Sequence, residues 1–251
     1  MIQLSVVIIT YNEERNIARC LDSLKGIADE IIVVDSYSTD KTIEICNSYG
    51  AKVFQHKFEG YIQQKNYALE TTSFNYVLSL DADEVLSDEL RTSIAAVKSD
   101  WKYDGYEMNR LTNYCSAWIR HGGWYPDRKI RLFDKRKGKW TGVNPHDRYA
   151  LNESHALVGY LRGDILHYSY YSISEHIKQV DYFTEISARV LFEQKRKASL
   201  PRLLGFPVFR FIRDYIFKCG FLDGYYGFVV CVISSHAVFL KYAKLRELWK
   251  Q

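Results

Sequence analysis

From Leu4 to Leu80 the chain alternates short, β-branched apolar runs with stretches of helical periodicity, and no hairpin signal interrupts the alternation. Residues 4–11 predict a first strand. Residues 15–24 predict a helix, with Ile17, Ala18, Leu21 and Leu24 at helical spacing. Further strands are expected over 30–34, 51–55 and 76–80, and further helices over 42–49 and 62–71. Asp40 is expected to cap the second helix and Gly50 to stop it. Strands joined through helices pair in parallel and need cover on both faces. The expected class is therefore α/β, with a mainly parallel central sheet flanked by helices. A chain of 251 residues suffices for one such domain plus an appendage.

Three of the strands stop at polar clusters, at Asn12, Asp35 and Asp81. In an open α/β sheet all three would lie on one carboxyl edge, where ligands bind. The sharpest stop is at the fourth strand, where Val77, Leu78 and Leu80 give way to Asp81, Asp83 and Glu84. Two aspartates one residue apart can reach one hard cation with oxygen ligands. The plainer alternative is an acidic turn opening a helix. Ser87, Asp88 and Glu89 can do that capping alone, which leaves Asp81 and Asp83 to be explained. The chain carries neither G-x-G-x-x-G nor G-x-x-x-x-G-K-[ST], so a glycine cradle does not hold phosphates here, and a cation at the aspartates is the expected substitute.

A formal charge of +4 gives no case for a nucleic-acid partner. The five cysteines form no C-x-x-C pair, which fits buried thiols in a reducing, cytoplasmic compartment. The opening M-I-Q-L-S-V-V-I-I-T lacks a basic leader and reads as a strand rather than a signal peptide.

The blocks S-V-V-I-I-T-Y-N-E-E, V-V-D-S-Y-S-T-D-K-T and L-S-L-D-A-D-E, in that order, resemble the family 2 glycosyltransferases of GT-A fold. Within that family the chain looks most like the branch that adds sugars to the core of lipopolysaccharide and related surface glycans. The resemblance implies an inverting, metal-dependent transfer of a hexose such as glucose from a UDP-sugar to a glycan or glycolipid acceptor. It implies that Thr10, Tyr11, Asn12 and Glu13 line the base pocket, that Asp35 accepts from the base or ribose, and that Asp81 contacts the ribose side. Asp83 would hold a divalent cation, Mg²⁺ or Mn²⁺, on the diphosphate, with His167, at the end of a later apolar strand, as a second ligand. Lys65 joins the substrate-binding set. The base that deprotonates the acceptor falls in the segment 143–148, where the slot reads His146-Asp147. The role is carried to Asp147, although that branch commonly has a Glu there, with Asp127 as the fallback.

Beyond Trp101 the pattern changes. Residues 105–113 and 129–133 alternate like strands, the second presenting Lys129 and Arg131 as partners for phosphate oxygens, with Arg148 as a further candidate. Between them, H-G-G-W-Y-P-D offers the flat face of Trp124 to a sugar. Residues 1–172 are expected to form the catalytic domain and 173–251 a helical extension that begins with Ser174 as cap. Basic and aromatic residues over 201–218 suit an interfacial helix. The uncharged run 224–240 is shorter than the ~20 residues a span needs. This extension either caps the sheet or rests peripherally on the cytoplasmic face of the inner membrane. Two rival readings remain for the whole chain. Asp81–Val85 also fits the D-x-D-x-[TV] string of haloacid dehalogenase-type phosphatases, although no G-D-x-x-x-D follows. The Asp at 147 leaves open a nucleotide-sugar-binding protein without turnover.

Overall fold

The computed structural model describes residues 1–143 and 146–250, His146 by its backbone alone. Asn144 and Pro145, in the segment expected to carry the base, lie outside the described residues. The chain divides into two compact units. One joins Met1–Arg110 to Asp127–His167, and the other joins Leu111–Pro126 to Tyr168–Gln251.

The first unit opens with β1 (Leu4–Thr10), α1 (Ile17–Ser23), β2 (Glu30–Asp35), α2 (Thr42–Ser48), β3 (Lys52–Gln55), α3 (Tyr61–Glu70) and β4 (Tyr76–Asp81). It continues through β5 (Glu84–Leu86) and α4 (Asp88–Ser99) to β6 (Gly105–Tyr114). The strands lie in the order β3-β2-β1-β4, all parallel, with Thr10 beside Asp35 and Ile9 beside Asp81. That register brings the three polar strand ends to one edge. Alternate residues of the strands face opposite layers. Leu4, Val6, Ile8, Val33 and Leu78 pack with Ile17 and Leu21 of α1, Cys46 of α2, and Leu90 and Ile94 of α4. Val7, Ile32, Val34 and Val77 pack with Ala68 and Leu69 of α3 on the other side. β-Branched residues suit strands buried on both faces, which is why these runs lack polar alternation.

Beyond β4 the sheet continues with β8 (Arg128–Asp134), β6, β11 (Val158–Tyr170) and β5. β8 runs antiparallel to both β4 and β6, and β11 runs antiparallel to β5. The hairpin of β9 (Gly138–Val143) and β10 (His146–Leu151) covers the α3 face, where Tyr149 stacks on Phe133 at 3.5 Å between ring centroids. One local expectation changes here. Asp40 precedes the residue at the helix start, Lys41, yet still accepts from Thr42 N at 3.0 Å. Ser87 caps α4 as expected, with Asp88 and Glu89 in its first turn, while Glu84 is fully buried in β5, its carboxylate accepting from Asp81 N and Arg131.

The second unit holds β7 (Ala117–Ile119), paired with the end of β6, and the helices α5 (Ile173–Glu193), α6 (Leu200–Ile212) and α7 (Gly224–Leu248). Ser172, not Ser174, caps α5: its hydroxyl accepts from Glu175 N while Glu175 reaches back, a reciprocal pairing that Ser174, already inside the helix, cannot make. A π-turn, Arg213–Phe217, extends α6, and α7 runs past the uncharged segment to Leu248.

Candidate active site

At the carboxyl edge the loops after β1 and β2 are sewn together. The chain turns at Asn12 with φ of 52°, a left-handed conformation that asparagine tolerates better than most residues. Asn12 N donates to Ser38 Oγ and Thr39 N donates to Asn12 Oδ1, each at 2.8 Å. Glu13 N donates to Thr42 Oγ1 at 2.8 Å and Glu14 N to Asp40 Oδ2 at 3.1 Å. Asp35 is fully buried and spends its two oxygens on the amide and hydroxyl of Ser38. Thr10 is buried with its hydroxyl unpartnered, and Tyr11 is exposed. The loop thus presents Tyr11 and Asn12, while Asp35 fixes its shape.

At the end of β4 the charges are buried and interlocked. Lys65, on α3, places Nζ 2.8 Å from Asp147 Oδ2 and 3.0 Å from Asp81 Oδ1, the second at an angle that leaves this oxygen without a well-directed hydrogen bond. Arg131, on β8, donates through Nη2 to Asp81 Oδ2 at 3.1 Å and to Glu84 Oε1 at 3.0 Å, and its Nη1 has no partner. Burial alone would raise the pKa of Asp81, but Lys65 and Arg131 overcome it and hold the carboxyl far below the usual range. Both cations lie over Trp140, at 4.6 Å and 5.5 Å from its ring. The indole Nε1 of this buried tryptophan is also unpartnered.

One residue on, Asp83 Oδ2 stands 3.0 Å from His167 Nε2. The pairing of β5 with β11 sets His167 opposite Glu84 and so brings the imidazole to Asp83. Its Nδ1 is buried without a partner. Glu13 belongs to the same patch. Burial first, then the charges of Asp83 and Asp40, push its pKa up to about 7, against the lowering influence of Asn16 and His167. Among the described residues, no group of three or more His, Cys, Asp or Glu side chains is arranged to enclose a metal by itself.

The remaining candidates are engaged elsewhere or exposed. Asp127 is engaged by Arg110 at 2.9 Å and Lys129 at 3.0 Å. Arg148 is exposed. Trp124 belongs to the second unit, where its ring packs edge-on to Tyr114 and His176. Its loop is held there by Asp223, which accepts from Arg120 N and His121 N at 3.0 Å and 2.7 Å.

Residues 5–153 match the model of glycosyl transferase family 2. The chain belongs to that family. A glycosyltransferase of Rickettsia typhi is 34% identical over 257 residues, covering 99% of this chain and 88% of the relative. The lipopolysaccharide core biosynthesis glycosyltransferase LpsC of Rhizobium meliloti is 28% identical, covering 97% and 92% respectively. Among solved structures, S. aureus TarS superposes with a TM-score of 0.50 at 16% identity over 99% of this chain and 91% of TarS, a likeness of fold. The fold is GT-A, as the sequence motifs lead one to expect. Family membership sets aside the phosphatase reading of Asp81–Val85.

Three residues of this cluster carried no assigned role in the sequence. Glu84 was visible as the third carboxylate of D-A-D-E, but its inward turn depends on Arg131. Arg110 neighbours Glu84 at 3.6 Å from the distant strand β6, with no sequence signal. Trp140 stands in K-W-T-G, which carries no motif, and only the two cations on its face distinguish it.

Proposed function

We propose that this glycosyltransferase moves a hexose from a UDP-sugar to a glycan or glycolipid of the lipopolysaccharide-core type, with inversion at the anomeric carbon. The observation that carries the proposal is the convergence of Asp81, Asp83, Lys65, Arg131, Asp147 and His167 at the sheet edge bearing the β1 and β2 loops. The acceptor class is supported by the near full-length similarity to LpsC.

Asp83 and His167 would hold a divalent cation. Their polar atoms lie 3.0 Å apart, so one ion could be reached by both. An oxygen and an imidazole suit Mn²⁺ better than Mg²⁺, and two protein ligands leave positions for diphosphate oxygens. Bound there, the cation supplies charge that offsets the departing diphosphate. Tyr11 and Asn12 face the base and Asp81 the ribose side. Asp147 takes the acceptor proton as the hydroxyl oxygen bonds to the anomeric carbon and the bond to the diphosphate breaks. Lys65 joins the carboxylates on the donor and acceptor sides, so it orients Asp147 while keeping Asp81 ionised. Residues 1–172 would carry this chemistry and 173–251 would be an accessory extension at the cytoplasmic face.

The test is a donor and acceptor panel with the product's anomeric configuration read by NMR. Inverted product with wild-type protein, and its loss in Asp147→Asn with donor binding kept, is expected. Retained configuration, or binding without turnover under every pairing, would overturn it.

A further inference from the structure

The second unit carries a surface that glycosyl transfer does not use. On α6, Leu200, Leu204, Val208 and Ile212 recur every fourth residue, one row along a helix. All four are exposed, Leu204 by 61% and Val208 by 58%, with Phe209 beside them at 62%. The row continues through the π-turn, where Ile216 and Phe217 are exposed, the latter by 75%. A soluble surface scatters such side chains, whereas a continuous row of them marks a site of contact.

Its charge identifies the partner. Between Lys195 and Leu222 there are seven lysines and arginines against one carboxylate, Asp214. Asp214 is buried and clamped by Arg210 and by Arg213, whose Nε lies 2.7 Å away, so the exposed charge of the segment is wholly cationic. Lys195, Arg196 and Lys197 stand exposed immediately before α6. An apolar row framed only by cations matches a lipid surface with anionic headgroups, where side chains enter the acyl boundary and cations stay at the phosphates. A protein partner of mixed charge would call for some exposed acid.

We propose that α6 and its π-turn dock this protein on an anionic phospholipid bilayer, lying along the surface. With Gly220–Asp223 before it, α7 is long and apolar enough to cross a membrane by length and composition. Within its unit 28% of that apolar window is buried, and the helix is tied to its neighbours. Ser235 Oγ donates to Pro207 O of α6 at 2.7 Å, and Lys244 Nζ meets Asp181 Oδ1 of α5 at 2.8 Å. The docking requires neither donor nor acceptor, so it stands apart from the transfer reaction.

The test is flotation of the full chain with phosphatidylcholine vesicles containing or lacking about a quarter phosphatidylglycerol. Binding is expected only to the anionic vesicles and should be released by high salt. Lys195→Gln/Arg196→Gln/Lys197→Gln should weaken it on the order of a hundredfold. Leu204→Glu/Val208→Glu should weaken it at least about tenfold, and being exposed should leave the melting temperature unchanged. No binding, equal binding to neutral vesicles, or resistance to salt extraction would each overturn the proposal. So would a dimer in solution that Leu204→Glu/Val208→Glu dissociates while vesicle binding persists.

Discussion

Two buried carboxylate networks sit at opposite ends of the parallel strands. At the amino end of β2, Glu30 accepts from Ser5 Oγ at 2.6 Å, from Ser73 N at 2.9 Å and from Lys52 Nζ at 2.7 Å. Burial would raise its pKa, but these partners lower it to about 2. At the carboxyl end, Asp81, Glu84, Lys65, Arg131 and Asp147 are as deeply interlocked. Yet Arg131 Nη1, Trp140 Nε1, His167 Nδ1 and Thr10 Oγ1 remain without hydrogen-bond partners. Each such atom costs about 1–3 kcal/mol. A satisfied network needs nothing further and holds a fold together. An unsatisfied one calls for an explanation, and under the proposed function a bound ligand supplies it.

Mutations at the two ends should separate accordingly. Asp83→Ala should lower transfer on the order of a thousandfold while moving the melting temperature by no more than about 2 °C. Wild-type turnover of that variant in the presence of a chelator would break the comparison. Arg131→Met removes the cation shared by Glu84 and Asp81, leaving Arg110 beside the first and Lys65 beside the second, and should cost about 3 kcal/mol, a drop of roughly 10 °C by calorimetry. A drop of only a degree or two would mean the cluster is not a buried ion network. Asp147→Asn should lower kcat about a hundredfold with little change in donor affinity. A changed donor Kd with kcat intact would move the residue out of the base's role.

The smallest effect belongs to Glu30→Gln, which should cost about 1–2 kcal/mol and leave activity alone. The pH dependence has a definite sign. The pKa of Glu30 is near 2 in the folded protein against its ordinary 4.5, so its stabilisation is complete above 4.5 and fades as pH falls toward 2. Denaturant midpoints for wild type and Glu30→Gln should therefore converge at low pH. A gap that persists there would assign the stability to packing.

The parallel half of the fold was legible because its strands are buried on both faces and betray themselves as unbroken apolar runs. The D-A-D-E stop stood out for the same reason, since an unbroken apolar run ends there abruptly at Asp81. What stayed hidden depends on distant pairing. Nothing near Glu84 announces that it turns inward to Arg131, forty-seven positions away. The short strand β5 was missed because three residues, Glu84–Leu86, carry too little periodicity, yet it brings His167 to Asp83. The cap of α5 was misplaced by two residues because Ser172 and Ser174 both precede apolar spacing, and only Glu175 favours the first.

The central claim is that Asp83 and His167 grip a dication shared with a nucleotide diphosphate. Isothermal titration of a UDP-sugar into wild type and Asp83→Ala, with and without Mn²⁺, tests it most directly. Binding by wild type that requires Mn²⁺ and disappears in Asp83→Ala is the expected result. Equal affinity in all four titrations would contradict it.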